Sequence, residues 1–256
     1  MAYDTRPNSV ACSSVKHATS NCLLCPTSSY CLVGGIARDE VLRWNSLIQS
    51  PTSVAMYKAI FYAGDPTKSI YSVRAGCIKT YTVDHAGNER VRGFHLAGDI
   101  VGLDALSGEN HAANAVAVIP SQVCRIPKAQ LQTLLQDTPA LMRRLVERLS
   151  HSLGDALALA GDYTADQRVA AFLLNMQQRL NPLSDAPTKL PMPRTDIANY
   201  LRLATETVCR VLSRLEQHGL IQSHDRVIHL LKPDELFSLA EPVGICMRPH
   251  TLGLAA

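Results

Sequence analysis

Between residues 54 and 127 the chain is cut by Gly64, Gly76, Gly87, Gly98 and Gly108, about every ten residues, which is the turn spacing of a sheet made from many short strands. The runs between them alternate apolar and polar side chains: Ala59 to Tyr62, Ile70 to Val73, Cys77 to Val83, Arg90 to Leu96, Ile100 to Leu103 and Ala113 to Ile119. Such a pattern closes into a barrel or a double-sheet roll. Asp84 to Glu89 reads as the polar tip of a hairpin. At Pro139 the texture changes. Met142, Leu145, Leu149, Ser152, Ala156 and Leu159 then recur three and four residues apart, the spacing of a coiled-coil seam. Leu141, Val146, Leu153, Leu157 and Ala160 add a second apolar stripe. A helix apolar on two sides packs on its own domain and on a second copy at once. The alternative is a core helix covered on both sides within one chain.

A further helix is expected from Ala165 to Arg179, followed by a proline-rich loop from Asn181 to Pro193. Next come two short helical patterns around a turn at Leu203. Thr195 and Thr205 are the expected N-caps, Gly219 the expected C′ residue, and small Ala198 allows a close helix crossing. This is a helix-turn-helix, with Ile221 to Leu230 as two strands of a wing. On its second helix Thr205, Glu206, Cys209, Arg210 and Arg214 form the candidate DNA-reading face, while Val208, Val211, Leu212 and Leu215 turn inward. A glutamate accepts from base amines, and an arginine one turn on forks onto guanine. From Lys189 to Lys232 there are seven Lys or Arg against four acids, so the net charge of +3 is concentrated where phosphate contact needs it. A winged fold that contacts protein is the competing reading.

Ahead of the sheet region lies Cys22-x2-Cys25-x5-Cys31, in a stretch rich in Ser, Thr, Asn and Pro. Thiols that merely fill a core are scattered through apolar segments, whereas three in one polar loop point to a metal or iron-sulfur site completed from elsewhere. Arg38 to Leu47 follows as a short helix with Val41, Leu42, Trp44, Leu47 and Ile48 on one face. Cys77 reads as a core thiol, and Cys12 and Cys246 as tail residues. A dithiol oxidoreductase would need Cys22 and Cys25 at a helix start after a strand, and a polar tail precedes them instead, so no enzyme is expected. The 256 residues allow two ordinary domains. No apolar run is long enough to span a membrane, and the first ten residues lack a signal-peptide pattern, so a cytoplasmic protein without membrane association is expected.

Taken in this order, the thiol loop, the glycine-cut roll, the long helix and a helix-turn-helix containing Glu206-Thr207-Val208-x-Arg210 resemble the CRP/FNR superfamily of bacterial transcription regulators. The FNR branch, the oxygen-responsive fumarate and nitrate reduction regulators, is the nearest in pattern. Gly93 to Asp99, Gly102 to Ala105 and Asp196-Ile197-x-Asn199-Tyr200-Leu201 carry the likeness. It implies an α+β fold: a tail over 1–21, a cluster loop and cyclic-nucleotide-binding-like β-roll over 22–137, a dimerisation helix over 138–162, a winged helix-turn-helix over 163–240 and a tail over 241–256.

It further implies a 4Fe-4S cluster on Cys22, Cys25, Cys31 and Cys124, since Cys124-Arg125-Ile126-Pro127 matches the branch's fourth-ligand context. A zinc-stapled or effector-binding relative without oxygen sensing is the alternative. By the same resemblance, the cluster-bearing homodimer binds palindromic promoter DNA and contacts RNA polymerase, with Asp84 to Arg92 as the candidate surface. Nucleotide-binding relatives carry an arginine where Ala113-Asn114-Ala115 stands here, so no cyclic nucleotide is expected. The branch has serine where Cys209 stands, and an acidic residue on the seam. Here that place falls to Ala156, with Asp155 one residue earlier, which suggests a cluster-free form that dimerises more readily.

Overall fold

The computed structural model describes residues 21–182, 184 and 186–243. The two expected tails, with Cys12 and Cys246, lie largely or wholly outside the described residues. Strands β1 (Thr52–Val54), β2 (Ala59–Phe61), β3 (Ser69–Ala75), β4 (Cys77–Val83), β5 (Glu89–Leu96), β6 (Ile100–Val101), β7 (Asn114–Ala117) and β8 (Ser121–Pro127) build the roll. They form two antiparallel sheets, ordered β1-β8-β3-β6 and β2-β7-β4-β5. Phe61, Val73, Ile78, Val101, Ala115, Ala117 and Val123 meet between the sheets and fill the interior. Gly76, at φ +92, makes the turn from β3 into β4 with its α-carbon pressed on Ser121, a place with no room for a side chain.

Three strands, β1, β8 and a short one within the proline-rich stretch, and two helices were not legible in the sequence. The β1 and β8 pair, in register from Thr52 opposite Val123 to Val54 opposite Ser121, is too short and too polar at its start to stand out. α2 (Lys128–Asp137) and α7 (Pro233–Ala240) each bury only two or three side chains, so they show little periodicity. The expected strand from Ile100 to Leu103 stops at Val101, because Gly102 at φ +90 turns the chain into a 3-10 turn.

α1 (Arg38–Leu47) buries Val41 and Trp44, but Leu42 is exposed, being about 100° round the helix from Val41. α3 (Pro139–Ala160) is the long helix. Its two apolar stripes divide differently from expectation. Met142, Val146, Leu149, Leu153 and Leu157 are left bare, with Leu153 60% exposed. Leu141 and Leu145 are buried in the chain's own core, and Leu159 packs partly against the C-terminal core. Ser152 is exposed with its hydroxyl on Arg148 O, 3.0 Å away. Both stripes alternate by threes and fours, so spacing alone could not fix the phase; packing against the roll chose it.

α4 (Ala165–Leu180) opens on a capping box, Thr164 with Gln167. α5 (Arg194–Leu201) and α6 (Thr205–Gln217) form the helix-turn-helix, closed by buried Ile197, Ala198, Leu201, Val208, Val211, Leu212 and Leu215. Pro193 and Ala204 occupy the N-cap positions, so Thr195 and Thr205 sit one or two residues inside their helices and cap nothing. Gly219 has φ +67, as expected past the end of α6. The wing is β10 (Ile221–His224) and β11 (Val227–Leu230), joined by β9 (Thr188–Lys189) from within the proline-rich stretch read as loop.

Trp44 is fully buried against the thiol loop and α2. Trp44→Ala is therefore expected to lower stability by about 3–5 kcal/mol, read as a shifted urea midpoint.

Candidate metal centre and nucleic-acid interface

Hydrogen bonds hold the loop bearing three thiols in place. Asn21 accepts from Leu23 N–H at 3.1 Å, and Asn45 of α1 accepts from Cys22 N–H at 2.9 Å. Cys25 Sγ lies 3.2 Å from Thr27 Oγ1. Cys31 Sγ lies 3.3 Å from Ser72 Oγ, and Ser72 stands opposite Cys124 in the β3–β8 register. The loop is thereby laid on the strand pair that carries Cys124. Gly98, at φ +93, lets it approach: a Cβ there would stand 2.8 Å from Tyr30 O.

Cys31 and Cys124 are buried, Cys22 and Cys25 half-buried, and all four are free thiols. Burial pushes the Cys22 thiol up to about 12, with added repulsion from Cys31, Cys124 and Cys25. Burial likewise raises Cys124 to about 11, against the pull of Arg74 and with Cys31 and Cys25 adding to it. Cys22 thus feels the other three thiols, and Cys124 feels Cys31 and Cys25. No three metal-binding side chains among the described residues are grouped tightly enough for a single ion. The all-sulfur donor set of the four cysteines is of the kind that both iron-sulfur clusters and structural zinc sites take.

Asp99 sits beside this site. It accepts from Leu96 N–H at 2.8 Å, is ion-paired with Arg179 of α4, and lies 3.8 Å from Arg148 of α3. Arg148 also donates to Tyr30 O, next to Cys31. Sequence reasoning assigned none of the three a role; Asp99 entered only as the last residue of the run Gly93 to Asp99. Asp155 lies off the bare stripe of α3, where burial raises its pKa against the opposing pull of Arg179 and His151.

On α6, Glu206 and Arg210 are exposed and Cys209 is partly exposed. Among the described residues Arg210 has Thr207 Oγ1 near it, at 3.4 Å, and its exposed guanidinium is available to an outside partner. Arg214 is not: it forks onto Asp166 at the start of α4, at 2.9, 2.7 and 2.6 Å. That pairing makes Arg214 a strut between α6 and α4, a role the expectation of a base-reading arginine had not included. Arg194, counted earlier only as one cation among seven, spans the interface. Its guanidinium lies 3.7 Å from Cys209 Sγ and 3.3 Å from both Ser223 Oγ and Asp225 O. It joins α5, α6 and the wing.

Residues 52–138 match the cyclic nucleotide-binding domain, and residues 167–239 the Crp-like helix-turn-helix domain. The transcriptional activator protein Anr of Pseudomonas aeruginosa is 33% identical over 226 residues, covering 86% of this chain and 93% of that protein. The fumarate and nitrate reduction regulatory protein of Escherichia coli K12 is 33% identical over 225 residues, covering 86% and 90%. The chain belongs to the CRP/FNR family, on its FNR branch. Among solved structures, FixK2 of Bradyrhizobium japonicum is 32% identical with a TM-score of 0.67, covering 75% of this chain and 96% of that one. The CRP/FNR fold accounts for the roll, long helix and winged domain in this order, and the protein is a DNA-binding transcription regulator rather than an enzyme.

The raised thiols give a pH dependence whose sign is fixed. An unfolded cysteine loses its proton near 9, the folded Cys22 and Cys124 near 12 and 11. Below 9 both states hold the proton; above it the unfolded chain gains by releasing it first. Metal-free protein should therefore lose stability progressively from pH 9 towards 12, seen by chemical denaturation under reducing conditions, and Cys22→Ser should flatten that decline.

Proposed function

We propose that this protein is a cytoplasmic, homodimeric regulator that senses oxygen through a 4Fe-4S cluster bound by Cys22, Cys25, Cys31 and Cys124. One observation carries the reading: a loop thiol, Cys31, hydrogen-bonds Ser72, the cross-strand neighbour of Cys124. When bound, the cluster supplies iron-sulfide bonds that oxygen can oxidise. The chain's part is to hold four thiols in one partly dry place, so that ligation relieves their mutual repulsion and releases their protons.

The bare stripe of Met142, Val146, Leu149, Leu153 and Leu157 is the surface for a second copy, with Ala156 beside it. Asp155 is off that stripe, which supports a cluster-free form that still dimerises. On DNA, Glu206, Cys209 and Arg210 read base edges, Thr205 flanks them at the helix start, and the two recognition helices reach half-sites about 34 Å apart. Activation engages RNA polymerase through the exposed tip from Asp84 to Asn88; Val91, in the same expected surface, is buried and unavailable. A cyclic nucleotide has no anchor at 113–115, where Ala113 and Ala115 are buried. Asn114 there is spent on Ala63 N–H and Tyr81 O. No described helix is long and apolar enough to cross a membrane.

Anaerobic purification should yield about four irons and four sulfides per chain, and Cys124→Ser should lose both. Zinc without sulfide would overturn the sensor reading and leave the DNA-binding one standing. Leu153→Glu should give a monomer by sedimentation, whereas cluster-free wild type should remain dimeric at micromolar concentration. Arg210→Ala should weaken specific DNA binding by about 1–3 kcal/mol and relax base preference. Arg214→Ala should keep that preference and cost at most about 1 kcal/mol of stability, since its ion pair is half-exposed.

A further inference from the structure

The first helix of the helix-turn-helix is bound to the roll by side chains that the DNA-binding reading leaves unused. β5 is the outer strand of its sheet, and an outer strand presents unpaired backbone groups. Asn199 of α5 covers two of them: its Oδ1 accepts from Val91 N–H at 2.8 Å and its Nδ2 donates to Glu89 O at 2.7 Å. One turn back on the same helix, Asp196 lies 3.1 Å from Lys79 Nζ, which also reaches Glu89 at 2.8 Å. Lys79 is only 8% exposed. Burial alone would lower its pKa, and the two carboxylates outweigh that and hold it raised. An ammonium so enclosed needs both partners, and one of them belongs to the other domain.

Neither α5 side chain is suited to grip DNA from this position. Asp196 is a carboxylate, which repels phosphate, and both ends of the Asn199 amide are already engaged. The docked arrangement also leaves Glu206 and Arg210 exposed on α6 and the Leu149–Leu153 stripe bare on α3. Docking therefore blocks neither DNA nor a second copy. What it fixes is the orientation of the winged domain relative to the roll.

We propose that Lys79, Asp196 and Asn199 are positioning residues that lock the winged domain onto the outer strand of the roll, so that the two recognition helices of a dimer are presented to both half-sites at once. This rests on the dimeric DNA-binding reading above. A domain freed from the lock still reads one half-site, but the second must then be found by a loosely held helix, and the ordering cost returns on binding.

The test uses anaerobically prepared full-length protein and two duplexes, one with both half-sites and one with a single half-site. Lys79→Met and Asn199→Ala should each weaken binding to the two-site duplex about tenfold while leaving the single-site affinity within about twofold. Dependence on salt should stay the same, because no phosphate contact is lost. Lys79→Arg should retain wild-type affinity. Glu89→Gln, a milder change at a half-exposed group, serves if Lys79→Met does not fold, and iron content and unfolding midpoint report folding. Unchanged or tighter two-site binding in the folded variants would overturn the lock. So would an equal loss on both duplexes with a shallower salt slope, which would make these residues direct DNA contacts. Wild type that gains nothing from the second half-site would instead defeat the dimeric reading, and this inference with it.

Discussion

Asp99 accepts from the turn at Leu96 and faces two guanidinium groups, Arg148 from the long helix and Arg179 from the winged domain. One carboxylate thus joins three parts of the chain that share no backbone hydrogen-bond ladder. A carboxylate gripped from two sides is held still, and partial burial makes its loss more costly than that of a surface pair. Arg148 extends the connection to Tyr30 O, one residue from Cys31. The thiol loop, the long helix and the DNA-binding domain therefore meet around one charge. Any rearrangement of the loop changes what Arg148 can do, and α3 carries Arg148 on one side and the bare stripe on the other.

Stripe and site are coupled by helix geometry. Leu141 and Leu145 anchor α3 to the core that also contains Cys31, Cys124 and Trp44. That anchoring sets the rotation of the helix and so decides that Met142, Val146, Leu149, Leu153 and Leu157 face outward. The same rotation places Asp155 within the field of Arg179 of α4, while His151 sits one turn back on its own helix.

The contacts between roll and winged domain are of two kinds. Phe94, Phe172 and Tyr200 form an aromatic cluster with centroids 5.4 to 6.4 Å apart, which is tolerant of small shifts. The Asn199 pairing with β5 and the Lys79 ion pairs are directional and tolerate little.

The helix-turn-helix was legible almost completely, because apolar spacing and a terminal glycine act within a few residues. So were six strand sites between glycines and the three-thiol spacing. The fourth thiol came from a likeness, since β8 itself gave no strand signal. The helix caps went astray by one or two residues because a threonine near a helix start is a common cap and here Pro193 and Ala204 precede it. Other details depend on partners far along the chain, 48 residues for Arg214 and Asp166 and 108 for Asn199 and Val91. Sequence alone determined which segments fold locally, which residues bear chemistry and that thiols gather before a roll and a DNA-reading helix. Only tertiary structure decided which stripe of α3 stays bare, which arginine of α6 is free, and how the domains are joined, because each depends on charges and surfaces that meet only after the chain has folded.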